Sequence, residues 1–66
     1  MSTIKRYRVI KYFQWGRLSL EKGQIVEISP TEWGELVTLY GDASKQQPIG
    51  SGAAESMVQL GKLVEE

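Results

Sequence analysis

The chain has 66 residues and contains neither cysteine nor histidine. A domain of this size buries only about 60% of the surface that its unfolded chain exposes, so it has little stability to spare. Without cysteine and histidine it cannot form disulfide bonds or the usual zinc sites, which support many small domains. An apolar core must therefore hold the fold, and 41% of the residues are apolar, a normal share for a globular domain. We expect a single small domain over residues 1–66, to which a bound partner would add stability.

The same absences restrict the chemistry. The chain has no cysteine nucleophile, no imidazole base and no EF-hand loop. We therefore expect no enzymatic activity, no cofactor, no metal site and no small-molecule substrate. No apolar run approaches the roughly 20 residues of a membrane span, and the N-terminus has no apolar segment typical of a signal peptide. The expectation is a protein of the cytoplasm or of a virion, with no membrane partner.

Residues 5–13 are rich in β-branched and aromatic side chains, which predicts a strand. Alternate residues of a strand lie on opposite faces. The face that we predict to be buried holds Tyr7, Val9, Phe13 and Trp15. The opposite, solvent-facing set is Arg6, Arg8, Ile10 and Tyr12.

Turn signals separate the next segments. Gly16 and Gly23 each follow a strand-like stretch and can adopt the positive φ that tight turns need. Between them, leucines alternate with polar residues, which predicts a short strand at 18–20. Residues 24–28 predict a further strand, with an apolar face formed by Val26 and Ile28.

Residues 29–32, Ser-Pro-Thr-Glu, have the pattern of a helix capping box with proline at the first helical position. The apolar residues that follow have the i, i+3, i+4, i+7 spacing of one helix face: Trp33, Leu36, Val37 and Tyr40. Gly41 is placed to end the helix. These signals predict a main helix at about 30–40, with its apolar face toward the core.

The rest of the chain completes the predicted fold. Residues 41–52 are rich in glycine and polar side chains, which indicates a flexible loop. A short second helix is predicted at about 53–60 and a closing strand at 62–65. The fold class is α+β, a small curled antiparallel sheet or half-open SH3-like barrel of three to four strands. Within the loop, Gly50-Ser51-Gly52 resembles a phosphate-binding turn, but Glu55 stands where a dinucleotide fingerprint needs a small residue.

The net charge of zero conceals an uneven distribution. Residues 1–22 hold six cationic and one acidic side chain, whereas residues 23–66 hold two cationic and seven acidic ones. A fold that separates the two halves would have a basic face for nucleic acid or for the acidic face of another protein. A fold that mixes them would leave the charges as ordinary surface groups. The sequence leaves both possibilities open.

Two segments resemble parts of a known class of proteins. The stretch from Leu20 to Glu32 before an amphipathic helix, and the ending from Ala53 to Glu65, are similar to small accessory proteins of tailed phages and prophages. In those proteins a hairpin leads to a strand, a capped helix and a Leu-Gly-x-Leu/Ile-Val close. The resemblance implies a virion-associated or phage-encoded accessory role, by analogy of fold, and it carries no catalytic residue.

The leading hypothesis is a non-enzymatic structural or interaction module that docks onto a larger protein assembly or onto other copies of itself. The predicted partner-binding residues are Arg6, Arg8 and Tyr12 of the first strand and Lys45, Gln46, Gln47 and Ile49 of the loop. The alternative is a small nucleic-acid-binding regulator, because basic and aromatic residues share the first strand. A third possibility is an inhibitor whose acidic C-terminal half mimics an acidic partner.

Overall fold

The computed structural model describes residues 4–66. This part of the chain forms seven strands and one helix, in the order β1 (Lys5–Val9), β2 (Phe13–Trp15), β3 (Leu18–Leu20), β4 (Ile25–Thr31), β5 (Gly34–Leu39), β6 (Asp42–Ile49), α1 (Ala53–Gln59) and β7 (Leu63–Glu65). The fold is small and mostly antiparallel β, with one short helix, and belongs broadly to the α+β class.

The strands form two sheets. The larger has five strands in the order β6-β5-β4-β1-β7, and the smaller is the β2–β3 hairpin. All neighbouring strands are antiparallel. In sequence, the β2–β3 hairpin lies between β1 and β4, which pair with each other in the large sheet. The helix α1 connects β6 to β7, the two edge strands of that sheet. The sheets are not closed into a barrel.

The core lies between the inner face of the large sheet, the β2–β3 hairpin and α1. Its buried members are Tyr7, Val9, Phe13, Trp15, Leu18, Leu20, Val26, Ile28, Val37, Ala54 and Leu63. The alternation predicted for the first strand is confirmed, because the predicted inner set is buried and the predicted outer set is exposed. The strand itself ends at Val9, and a bend at Lys11 precedes β2.

The predicted main helix at 30–40 is wrong. These residues complete β4, the Glu32–Trp33 turn and β5. Among the described residues β4 pairs with β1 only as far as Ile28, so Pro30 lies beyond the ladder that these residues form, and proline is tolerated where a strand needs no backbone donor. The local capping signals are therefore overridden by pairing with neighbouring strands.

Gly34 shows why a hairpin forms here. Its φ is +146°, and a Cβ at this position would stand 2.7 Å from the carbonyl oxygen of Ile49. Only glycine lets the start of β5 lie so close to the end of β6. Glu35 pairs with Ile49 at the next position, so the contact fixes the register of the two strands.

The predicted flexible loop at 41–52 is also wrong over most of its length. Residues 42–49 form β6, the edge strand of the large sheet. Thr38 pairs with Gln46 and Leu39 with Asp42, so residues 43–45 bulge out of the ladder. Such an irregularity suits polar residues that a buried strand would exclude, which is why composition alone suggested a loop.

The helix α1 lies within the segment predicted as a short helix, and it is the one helix of residues 4–66. It ends in a Schellman motif, in which Gly61 N donates to Val58 O at 3.0 Å and Lys62 N to Met57 O at 2.9 Å. Gly61 has φ +77°, as that motif requires. Across the same residues, no helix is long and apolar enough to cross a membrane.

Candidate docking surfaces

The two arginines predicted as partner-binding residues lie on the outer face of the large sheet. Arg6 and Arg8 project from β1 on the side opposite the core, and both are exposed. Arg6 forms an ion pair with Glu27 at 3.0 Å, and Arg8 forms one with Glu66 at 3.0 Å. The Arg6 guanidinium also lies 4.7 Å from the centre of the Tyr40 ring, a cation–π contact.

These contacts bear on the charge distribution. Each ion pair joins a cation of residues 1–22 to an acid of residues 23–66. On this face the two halves of the chain are therefore mixed, not separated. Exposed pairs of this kind stabilise a fold by about 0.2–1 kcal/mol each, and they leave the arginines less available to a new partner.

The remaining predicted residues do not join the arginines in one site. Tyr12 lies between β1 and β2, beyond the end of the strand that carries Arg6 and Arg8, and is 61% exposed. On β6, Lys45 and Gln46 are exposed, but Ile49 packs against the core. The side chain of Gln47 accepts a hydrogen bond from Arg17 N at 3.1 Å and so holds the β2–β3 turn against β6.

The edges of the large sheet are poorly suited to pairing with a partner strand. Pro48 removes one backbone donor from β6, the bulge at 43–45 interrupts its regular ladder, and Lys45 adds an exposed charge. All three are devices that limit pairing between edges. The other edge strand, β7, has only three residues. Binding by strand addition is therefore disfavoured.

The most exposed large apolar side chain in residues 4–66 is one that helical spacing predicts to face the core. Trp33 is 92% exposed in the two-residue turn between β4 and β5. The Thr31 hydroxyl accepts a hydrogen bond from Trp33 N at 3.3 Å, which ties the turn to the strand. Glu32 precedes Trp33 in the same turn, and Glu35 lies in the strand that follows. The indole therefore lies on an acidic hairpin.

The exposure of Trp33 is not predicted from the sequence, because its spacing fits the apolar face of a helix. That spacing groups Trp33 and Tyr40 with Val37, but only Val37 is buried and both aromatic side chains face solvent. One signal in the sequence does indicate the turn. If the strand predicted at 24–28 is continued to residue 31, residues 32 and 33 are left as a two-residue turn before Gly34, which has the positive φ.

Two adjoining clefts form a groove beside α1. A cleft of about 490 Å³ lies between β1, the β4–β5 hairpin and the start of α1, and a cleft of about 290 Å³ continues along the helix. Tyr7 and Glu55 line both. The charged residues along the two clefts are Lys5, Glu35, Glu55 and Glu65. We call this surface the acidic groove.

The charges of the acidic groove affect the pKa of Tyr7. Burial raises the pKa of its hydroxyl, and the nearby Glu65 raises the pKa further. Lys5 lowers the pKa, and Glu35 and Glu55 add smaller increases. The net effect of the surroundings is to keep the phenol protonated and to disfavour negative charge. The Gly52 amide, at the start of α1, already donates to the Glu35 carboxylate at 3.3 Å.

A third cleft has the opposite character. It has a volume of about 390 Å³ and lies between β3 and β6, lined by Arg17, Leu18, Ser19, Ser44, Lys45 and Gln46. Its two charged residues are cations. Asp42 lies beside it, and its pKa is lowered mainly by the hydrogen bond from the Ser44 hydroxyl, with a smaller contribution from Lys45. The cleft is therefore only weakly basic.

No protein-family model, curated protein or solved structure matches the chain. Within residues 4–66, no three acidic side chains converge closely enough to hold a metal ion. The candidate sites must therefore be judged on their own geometry, and the features that stand out are the exposed Trp33 and the acidic groove.

Proposed function

We propose that the protein is a non-catalytic docking module that binds another protein, with Trp33 as its main anchor. The observation that carries the proposal is the 92% exposure of this indole at the tip of a tight hairpin. A small domain needs its large apolar side chains in the core, and tryptophan buries more surface than almost any other residue. Trp33 instead lies in solvent, where only a partner can bury it.

The setting of Trp33 suits an interface. Tryptophan, tyrosine and arginine are the residues that most often dominate binding energy between proteins. The hairpin holds the indole through paired backbone on both sides, so little conformational freedom is lost when a partner pocket closes over it. An arginine and a tyrosine also lie in contact on the outer sheet face, where the Arg6 guanidinium is 4.7 Å from the centre of the Tyr40 ring.

The surroundings favour a protein over a nucleic acid. A stacking platform for bases needs basic side chains nearby to bind phosphates. Trp33 has Glu32 and Glu35 as its charged neighbours in sequence, and the arginines of β1 are held in ion pairs. Binding of nucleic acid through Arg6, Arg8 and Tyr12 therefore stays the weaker alternative.

We also propose a more specific architecture and setting. The sheet order and the hairpin inserted between β1 and β4 support a half-open, SH3-like arrangement. Folds of this kind present loops at their ends and serve many unrelated binding functions. The resemblance to phage accessory proteins rests on residues 20–28 and 53–65, since residues 30–40 form no helix, and it makes a virion or another phage assembly the first partner to test.

The experiment compares immobilised wild-type protein with Trp33→Ala in lysate of the source cell, with and without nuclease. Lys22→Ala, in another exposed turn, is the matched control. We expect one protein to be retained by wild type and by Lys22→Ala but reduced at least tenfold with Trp33→Ala, which corresponds to about 1.4 kcal/mol. Removing an exposed side chain should change the stability by less than about 0.5 kcal/mol.

Retention of the same proteins by all three forms would refute the role of Trp33. Retention that disappears after nuclease treatment would favour the nucleic-acid alternative instead.

A further inference from the structure

The two clefts of the acidic groove are lined by more carboxylates than cationic groups. In residues 4–66 the ion pairs are Arg6–Glu27 and Arg8–Glu66, both on the outer sheet face. Glu35, Glu55 and Glu65 form none. Of the described residues, Lys5 is the one cation that lines the groove, so three carboxylates face a single ammonium group there.

A buried polar group opens into the same groove. Tyr7 is only 3% exposed, lines both clefts and lies opposite Glu65 in the β1–β7 pair. Among residues 4–66 its hydroxyl makes no hydrogen bond. The described residues contain no fully buried side-chain oxygen or nitrogen without a partner, so this hydroxyl oxygen reaches the surface of the groove, where it can accept a hydrogen bond from a ligand.

We propose that the acidic groove binds an arginine or lysine side chain of the partner protein, with the Tyr7 hydroxyl and the carboxylates of Glu55 and Glu65 around the cationic group. This inference rests on the proposed docking function and specifies the chemistry of the partner. It adds a second contact, distinct from Trp33.

The dimensions favour a side chain over a metal ion. The acidic residues do not converge closely enough to hold a metal, whereas a cleft of about 490 Å³ accommodates a long side chain with its methylene groups. Ile28, Pro30 and Ala54 supply an apolar wall for that stem. A long cationic side chain commonly packs its stem on apolar surface and keeps its charge beside polar groups.

The test uses the whole chain and a short peptide of arginine and leucine, compared with the same peptide in which citrulline replaces arginine. Binding is followed by backbone amide shifts in NMR. We expect the arginine peptide to shift amides of Tyr7, Ala54 and Glu55 selectively, and the citrulline peptide, which has the same shape without the charge, to have no such effect.

Variants test the assignment further. Glu55→Gln should weaken binding of the arginine peptide about threefold, and Lys5→Ala should strengthen it about threefold, as expected for partly exposed charge interactions. Tyr7→Phe should also weaken it. Glu27→Gln, on the opposite face, is the control and should have no effect.

Equal binding of both peptides, shifts confined to other surfaces, or no shift at millimolar peptide would overturn the inference. Unchanged affinity in Glu55→Gln and in a second variant, Glu65→Gln, would do the same. The proposed docking function is tested separately, because Trp33→Ala should bind the arginine peptide like wild type. Unchanged partner capture by Trp33→Ala, together with intact peptide binding, would therefore count against the role of Trp33 and leave the assignment of the acidic groove standing.

Discussion

At the scale of single residues, two positions determine much of the account. Gly34 allows the chain to turn at the end of β4, and Trp33 is left in solvent by that turn. A residue with a side chain at position 34 would face the carbonyl oxygen of Ile49 and would adopt a φ that favours glycine. The exposed indole thus lies one residue before a backbone position that favours glycine.

Gly34→Ala should destabilise the protein by about 3 kcal/mol, because backbone strain and the contact with Ile49 act together. Gly41→Ala is the matched control. Gly41 also has a positive φ, +93°, but a Cβ there meets nothing within 4 Å, so we expect a cost of about 1 kcal/mol. Urea unfolding measures both values. Equal destabilisation by the two substitutions would contradict the close approach at Gly34.

Tyr7 provides a prediction of pH dependence. Its pKa is raised above the ordinary value of 10.0, mainly by burial. The unfolded chain therefore loses this proton before the folded protein does. The stability that the neutral phenol contributes is complete below pH 10 and is lost as the pH rises through the folded pKa.

Urea unfolding between pH 8 and pH 11 should thus show a fall in stability at the alkaline end that is smaller in Tyr7→Phe, which has no phenol to ionise. The comparison cancels the titration of lysines, which both proteins share. Identical pH profiles for the two proteins would show that the phenol does not titrate differently on folding.

At the scale of elements, the sequence predicts the first part of the fold well. The alternation of residues 5–28 identifies the inner face of β1, the β2–β3 hairpin and β4, since a period of two is a direct signature of strands. It fails at 30–40, where Pro30 and the spacing of Val37 fit both a helix and a hairpin. The choice between them depends on pairing with β1 and β6, which local sequence does not record.

For the candidate sites, too, the sequence predicts what depends on one segment and misses what depends on contacts between distant segments. Arg6, Arg8 and Tyr12 are exposed as predicted, because their place depends on alternation within one segment. Trp33 was missed because its exposure depends on the hairpin. The acidic groove was missed as well, since its walls come from segments that are distant in sequence: β1, β4, β5, α1 and β7.

The attachment of the β2–β3 hairpin to β6 can be tested at one side chain. Gln47→Ala removes the acceptor of the Arg17 amide, so it should destabilise the protein by about 1 kcal/mol and speed hydrogen exchange at that amide. Gln46→Ala, at the next position, is the control. Gln46 is exposed and its side chain makes no hydrogen bond within residues 4–66, so both quantities should stay unchanged.

Unchanged exchange at Arg17 in Gln47→Ala would show that the hairpin is held to β6 by other contacts. The site-directed comparison separates this link from the core contacts of Leu18 and Leu20, which both variants retain.

At the scale of the whole molecule, the core and the surface have different compositions. The core of the described residues is built from aliphatic and aromatic side chains, and none of its members is charged. Several large apolar side chains remain outside it, among them Trp33, Tyr12, Tyr40 and Leu60. Of these, Trp33 is the most exposed, and its indole is the physical basis of the proposed docking function.

The most direct measurement of the central claim is site-specific photo-crosslinking in lysate of the source cell. A photoreactive phenylalanine analogue replaces Glu32, which precedes Trp33 in the same exposed turn, in one sample and Lys22 in another. Because Trp33 is retained, we predict a covalent adduct with one protein from position 32 and none from position 22. A folded protein that gives no adduct at position 32, or the same adducts at both positions, would contradict the docking role of this turn.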